Sequence, residues 1–174
     1  MSVTLAAARG LLAELARRLI YGGRARLVPV GSVRRGEARA ADLDVLVVTS
    51  DAFAPPAVRP RRPGDRISGV ALAQAGPRKH VYLLTLHNNT RIAVDAFRVR
   101  PPELPYALFH YTGSSQYNVR TRAFAKRRGW KLNQYGLFDA ATGRRVRGSA
   151  GVRGERGLAA LLGVTYRPPG DRQR

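Results

Sequence analysis

Three aspartates and a short glycine-led run carry the chemical potential of this chain. Asp42 and Asp44 stand two residues apart in Asp42-Leu43-Asp44, and Asp95 lies within Arg91-Ile92-Ala93-Val94-Asp95-Ala96-Phe97. Residues i and i+2 of a strand point the same way, with side chains about 6–7 Å apart. Asp42 and Asp44 can therefore serve one site while Leu43 turns to the core. If the Asp95 strand lies beside theirs, three carboxylates converge. Bare acids packed together repel one another, and divalent cations remove that cost. An oxygen-only donor set points to Mg²⁺, with Mn²⁺ as the alternative. Two such ions about 3.5–4 Å apart lower the pKa of an attacking hydroxyl and neutralise a leaving pyrophosphate.

A D-x-D pair also occurs on solvated edge strands. Here the apolar run 45–48 sets the acids at the mouth of a buried strand, and Gly31-Ser32-Val33-Arg34-Arg35-Gly36-Glu37 precedes them. Gly31 permits close approach of backbone to phosphate. Amides following Ser32 would open a helix, a natural anion site. Arg34 or Arg35 could clamp the outer phosphates, although neighbours on a helix cannot both face inward. Taken alone, Gly31-Ser32 is equally a turn and a helix cap.

The elements that must hold these residues can be read from periodicity. Residues 3–20 carry an apolar stripe of Leu5, Leu12, Leu15, Leu19 and Ile20, which predicts an amphipathic helix ended by Gly22-Gly23. Residues 27–30 predict a short strand, placed at an edge by Pro29. Ser32 then caps a helix ending near Ala40, and 43–48 is a central strand. The Pro- and Arg-rich stretch 51–66 is a loop. Strands follow at 67–73, 80–86 and 91–98, the last two joined by an Asn88-Asn89 turn. Pro101-Pro102 marks a boundary. Beyond it come a helix at 103–111, a second helix capped by Ser114 and closed by Gly129, and small strands at 130–138 and 144–147 around Thr142-Gly143. A last helix covers 155–162. The predicted fold class is α+β. Residues 1–100 form a mixed or antiparallel sheet with helices on one face, and residues 101–174 form a small helical and β-hairpin domain.

Composition narrows the partner. The 174 residues include 31 basic and 11 acidic side chains, a net charge of +20, and 28 of the basic residues are Arg. Arg grips phosphate bidentately, so a polyanion is the natural partner. Without cysteine, disulfides and Cys-ligated zinc are excluded. The three histidines lack ligand spacing. Neither a signal-like start nor an 18-residue apolar run occurs, so the expectation is an intracellular protein, neither secreted nor membrane-bound.

These motifs closely resemble the DNA polymerase X family of the nucleotidyltransferase superfamily. The superfamily pattern of a Gly-Ser ahead of D-x-D is met by Gly31, Ser32, Asp42 and Asp44, and the narrower G-S-x-R-R-G-x by residues 31–37. The likeness continues through His110-Tyr111-Thr112-Gly113-Ser114, Asn118, Arg122, Trp130-Lys131-Leu132-Asn133-Gln134-Tyr135-Gly136-Leu137, Glu155, Leu161-Leu162-Gly163, Tyr166, Pro168-Pro169 and Arg172. It implies a nucleotidyltransferase palm in residues 1–100 and a nucleotide- and DNA-contacting domain in 101–174. Asp42 and Asp44 would bridge two metals. Asp95 would hold the one that activates a primer 3′-hydroxyl. Gly31, Ser32 and Arg35 would serve the triphosphate, and His110, Tyr111, Gly113 and Asn118 the sugar and base. His110 replaces an aromatic of the family's steric-gate pair, Ser115 stands where an Asp is frequent, and Gln134 where an acid is common. The family's N-terminal lyase domain and its Schiff-base lysine are not expected here. The chain thus resembles the reduced polymerases X of large DNA viruses.

The implied function is templated filling of short gaps in DNA repair, including base excision repair, by two-metal transfer from a dNTP. The same acids would also serve an untemplated terminal transferase or a small nucleotidyltransferase acting on RNA or a small molecule. A non-catalytic DNA-binding module is a further alternative. Expected partners are gapped or nicked duplex DNA, a dNTP and a DNA ligase or other repair enzyme. The chain is expected to be monomeric and, if viral, to lie in host cytoplasm and virion. Backbone contacts fall to Arg120, Arg122, Lys126, Arg127, Arg128 and Lys131, with Arg17 and Arg18 as a second patch. Such binding weakens by roughly 0.9 log units per tenfold rise in salt for each phosphate neutralised.

Overall fold

The computed structural model describes residues 2–21 and 25–173. The chain divides into two compact units, Met1–Val99 and Arg100–Arg174. In the first, chain order is β1 (Val3–Thr4), α1 (Leu5–Arg18), β2 (Leu19–Ile20), β3 (Arg26–Pro29), α2 (Gly31–Arg35), β4 (Arg39–Ala40), β5 (Leu43–Val48), β6 (Ala57–Val58), β7 (Ile67–Ala75), β8 (Lys79–Leu86) and β9 (Arg91–Val99). Five strands form one sheet in the order β3-β5-β9-β8-β7. Only β5 and β9 run parallel; β3–β5, β9–β8 and β8–β7 are antiparallel. Pro29 lies on the edge strand, where its missing N–H costs no ladder bond.

Alternation divides the sheet by chemistry. Leu43, Val45 and Val47 of β5, Ile92, Val94 and Ala96 of β9, and Tyr82 and Leu84 of β8 pack with Ala8, Leu11, Leu12 and Leu15 of α1 in one core. The intervening positions put Asp44 and Asp95 on the opposite face. Thr4 caps α1 by accepting from the Ala7 amide at 3.3 Å. The helix stops at Arg18 because Leu19 and Ile20 pair with Val58 and Ala57; the Gly22-Gly23 stop lies outside the described residues. The stretch 51–66 is therefore tied down, not a plain loop. Glu14, 4% exposed, accepts from the amides of Arg66 (2.8 Å) and Ile67 (3.0 Å). α2 is shorter than periodicity suggests. Gly36 adopts φ +75° and ends it, and its N-cap is Val30, with no side-chain cap from Ser32. Arg39 and Ala40 leave the helix to pair with Thr4 and Val3.

The second unit holds α3 (Leu104–Thr112), α4 (Ser115–Arg127), β10 (Trp130–Asn133), β11 (Gly136–Asp139) and α5 (Glu155–Leu162). Its core joins Tyr106, Phe109, Tyr117, Leu132, Leu137, Leu158 and Leu162. Ser114 caps α4 through the Tyr117 amide at 3.4 Å. The hairpin turns at Gln134-Tyr135 rather than at Thr142-Gly143, because Asn133 Oδ1 accepts from the amides of Tyr135 (2.9 Å) and Gly136 (3.1 Å). Residues 144–147 contribute only a single Phe138–Arg145 bridge. Arg172 is fully buried: Nη1 donates to Glu155 Oε1 at 2.8 Å, and Nε to the Arg167 carbonyl at 2.8 Å. Pairing is what makes a buried charge tolerable.

Candidate active site

The parallel register of β5 and β9 sets Asp44 directly beside Asp95. Asp42 lies in the bend before β5, exposed, so the pair Asp42-Leu43-Asp44 straddles the strand's start. Val81 of β8 faces Asp95 across the sheet, which puts Lys79, two residues earlier, on the same face. Its Nζ reaches Asp95 Oδ2 at 2.6 Å. Burial, then the charges of Asp42 and Asp95, push the Asp44 carboxyl up to about 6, against the opposing pull of Lys79 and Arg35.

Backbone geometry brings α2 against this cluster. The Val30 amide donates to the Asp44 carbonyl at 2.9 Å. A Cβ on Gly31 would lie 2.2 Å from Asp44 Oδ2, and Gly31 has φ +60°. Glycine is therefore required there twice, for space and for conformation. Ser32 follows in the first turn. Arg35, its side chain 15% exposed, is held by Glu37, with Nε donating to Oε1 at 2.8 Å.

Among the described residues, no group of three Asp, Glu, His or Cys side chains stands ready to grip one ion. The expected three-way convergence is thus incomplete: Asp44 and Asp95 are neighbours, Asp42 acts through its charge, and Lys79 occupies Asp95 Oδ2. The donor set still fits a hard divalent cation. It offers only carboxylate oxygens, and Asp44 is half-buried beside a second carboxylate, Asp95, in register.

In the second unit, His110 and Tyr111 close α3 with their rings edge-to-face at 4.7 Å. Arg122 has only donors, so its 2.6 Å contact makes His110 Nδ1 the acceptor and leaves the hydrogen on Nε2. Burial, then the Arg122 charge, lowers the His110 pKa to about 4. Asn118 Nδ2 donates to the His110 carbonyl at 2.7 Å, and Gly113 ends α3 at φ 68°.

A family model described as DNA polymerase beta thumb matches residues 107–173. The chain is 35% identical over 145 residues to the repair DNA polymerase X of African swine fever virus (isolate Tick/Malawi/Lil 20-1/1983), covering 82% of this chain and 79% of the relative. The chain belongs to the DNA polymerase X family. It is also 29% identical over 165 residues to DNA polymerase lambda of Rattus norvegicus, covering 83% of this chain and 28% of that protein. Its fold matches the crystal structure of Leishmania infantum polymerase beta in a ternary P/T complex with TM-score 0.72 and 21% identity, over 100% of this chain and 77% of that one.

For this polymerase X chain the basic residues sort unevenly. Arg120, Arg122, Lys126 and Arg127 are exposed on α4, and Lys131 is exposed on β10. Arg127 lies 4.2 Å from the Phe124 ring centroid. Arg18 is not a surface residue: it is 6% exposed, donates to the Ile67 carbonyl at 2.8 Å and to that of Arg59 at 3.3 Å, and pairs with Glu14 at 3.6 Å. Arg128 caps the end of α5 through the Leu162 carbonyl. Arg17 pairs with Asp65 at 3.1 Å while its side chain stays 49% exposed. Sequence reasoning missed Lys79. The signal available was its place, two residues before the residue opposite Asp95 in a predicted hairpin. No described helix is long and apolar enough to cross a membrane.

Proposed function

We propose that this polymerase X chain fills short gaps in duplex DNA, transferring a nucleotidyl group from a dNTP to a primer 3′-hydroxyl. The observation that carries the reading is the Asp44–Asp95 register with glycine-bearing α2 lodged against Asp44. Residues 1–100 act as the catalytic palm and 101–174 contact nucleotide and DNA. Mg²⁺, or Mn²⁺, held by Asp42, Asp44 and Asp95 would supply Lewis acidity toward the primer hydroxyl and neutralise charge on the leaving pyrophosphate. Asp95 accepts the hydroxyl proton, its Oδ2 anchored by Lys79. Gly31, Ser32 and Arg35 bind the triphosphate, with Glu37 fixing the Arg35 fork. His110, kept neutral, can donate from Nε2 to the sugar or triphosphate. Tyr111, Gly113 and Asn118 shape the nucleotide's surroundings. Arg17, Arg120, Arg122, Lys126, Arg127 and Lys131 contact phosphates and so set affinity rather than sequence preference.

The test is single-nucleotide gap filling with each dNTP, and with UTP, on a defined gapped duplex. The expected result is incorporation of the templated base only, abolished by Asp95→Asn with DNA binding near normal. Undiminished turnover by that variant refutes the assignment of Asp95. Equal extension with and without template favours a terminal transferase.

A further inference from the structure

A cavity of about 590 Å³ opens in the first unit, away from the carboxylates, with Arg17, Arg26, Arg59 and Arg62 on its wall. Arg26 pairs with Val48, four residues along β5 from Asp44, which places this end of the sheet about 13 Å from the acids. Leu19, Ala25 and Leu27 also line the cavity, whose exposed surface is mainly polar. Ile20 at its edge is 41% exposed.

The wall is built rather than incidental. The run Arg59-Pro60-Arg61-Arg62-Pro63 would be a loose charged loop if nothing held it. Here the Arg59 amide donates to the Arg18 carbonyl at 2.8 Å, and buried Arg18 returns a bond to the Arg59 carbonyl at 3.3 Å. The Arg62 amide donates to Asp65 Oδ2 at 2.9 Å. Prolines at 60 and 63 fix φ and lower the entropy lost on ordering. Arg17 has a carboxylate partner, Asp65. Among the described residues, Arg26, Arg59 and Arg62 are in no ion pair with a carboxylate. Three like charges held around one concavity repel unless an anion joins them.

We propose that this cavity binds consecutive phosphates of a single-stranded DNA segment flanking the gap, such as a template overhang or a displaced flap. The proposal rests on the gap-filling reading above. Guanidinium forks match phosphate oxygens, and the apolar side chains among them, Leu19, Ile20 and Leu27, can meet sugar and base faces. A cavity of this size takes about one nucleotide with its flanking phosphates, not a duplex. The test uses the full chain and a triple variant, Arg26→Gln/Arg59→Gln/Arg62→Gln, none of which is assigned to catalysis. Fluorescence anisotropy compares a blunt gapped duplex, the same duplex with a twelve-nucleotide overhang (about three times a minimal single-strand site), and free dATP or inorganic phosphate as competitors. Wild type should prefer the overhang substrate about tenfold at low salt, and its salt slope should be steeper by about 2. The triple variant should lose both differences while filling the blunt gap normally. Equal weakening on both duplexes, no weakening at all, or loss of the preference to free dATP or phosphate would each overturn the proposal. Gap filling on the blunt substrate is scored separately, so failure of the cavity and failure of the polymerase reading are distinguishable.

Discussion

Asp44 supplies a stability signature that requires no DNA. Its folded pKa is about 6 against an ordinary 3.8, chiefly through burial and then through Asp42 and Asp95. Between those values the folded chain binds more protons than the unfolded one. Stability is therefore fully present below pH 4 and is lost as pH rises through 6. At 1.36 kcal/mol per unit the change is about 3 kcal/mol as an upper figure, and about 2 kcal/mol after solvent screening. Asp65 and Asp139 are lowered by hydrogen bonds and act in the opposite sense at lower pH, so the effect must be isolated by difference. The assay is urea unfolding followed by circular dichroism, in chelator, from pH 4 to 7.5, on wild type and Asp44→Asn. The wild-type stability minus that of the variant should fall by about 2–3 kcal/mol across this range. Millimolar Mg²⁺ should restore most of it at pH 7, because a cation favours the ionised form. A flat difference, or one that rises with pH, would show that Lys79 and Arg35 outweigh burial and would refute the reasoning.

Gly31→Ala forces a side chain into φ +60° and sets a carbon 2.2 Å from Asp44 Oδ2. It should cost about 2–4 kcal/mol in urea unfolding and abolish gap filling; a variant within about 0.5 kcal/mol of wild type with full activity contradicts the geometry. Lys79→Met removes the ammonium from Asp95, and with Lys79 40% exposed the stability change should stay below about 1 kcal/mol. The same variant should bind Mn²⁺ about fivefold more tightly by paramagnetic titration, since a competing cation is gone; weaker binding contradicts that. Arg172→Met takes the buried guanidinium away from buried Glu155, costing about 3–5 kcal/mol, and adding Glu155→Gln should recover most of it. Fluorescence of Trp130, which packs in the same core, reports that transition.

Sequence made β5 legible because its signals are local. The apolar run 45–48 could only be buried, which marks Asp44 at its mouth, whereas Asp42 stays exposed in the bend before the strand. α5 was found to the residue because Gly163 stops it in a left-handed conformation. What stayed hidden depends on contacts distant in sequence. Lys79 meets Asp95 only after two strands pair in one register, and β4 exists only because Val3 and Thr4 reach Ala40 and Arg39. The arginines show the limit most sharply. In a chain with 28 of them, composition gives every one the same meaning, a cation for a phosphate. Folding separates them by their partners. Arg18 and Arg172 satisfy carbonyls and a buried acid, and Arg128 caps a helix. Among the described residues, Arg26, Arg59 and Arg62 are in no ion pair with a carboxylate. Net charge sets how strongly this chain is drawn to a polyanion, but the geometry of carboxylate pairing decides which side chains can hold it.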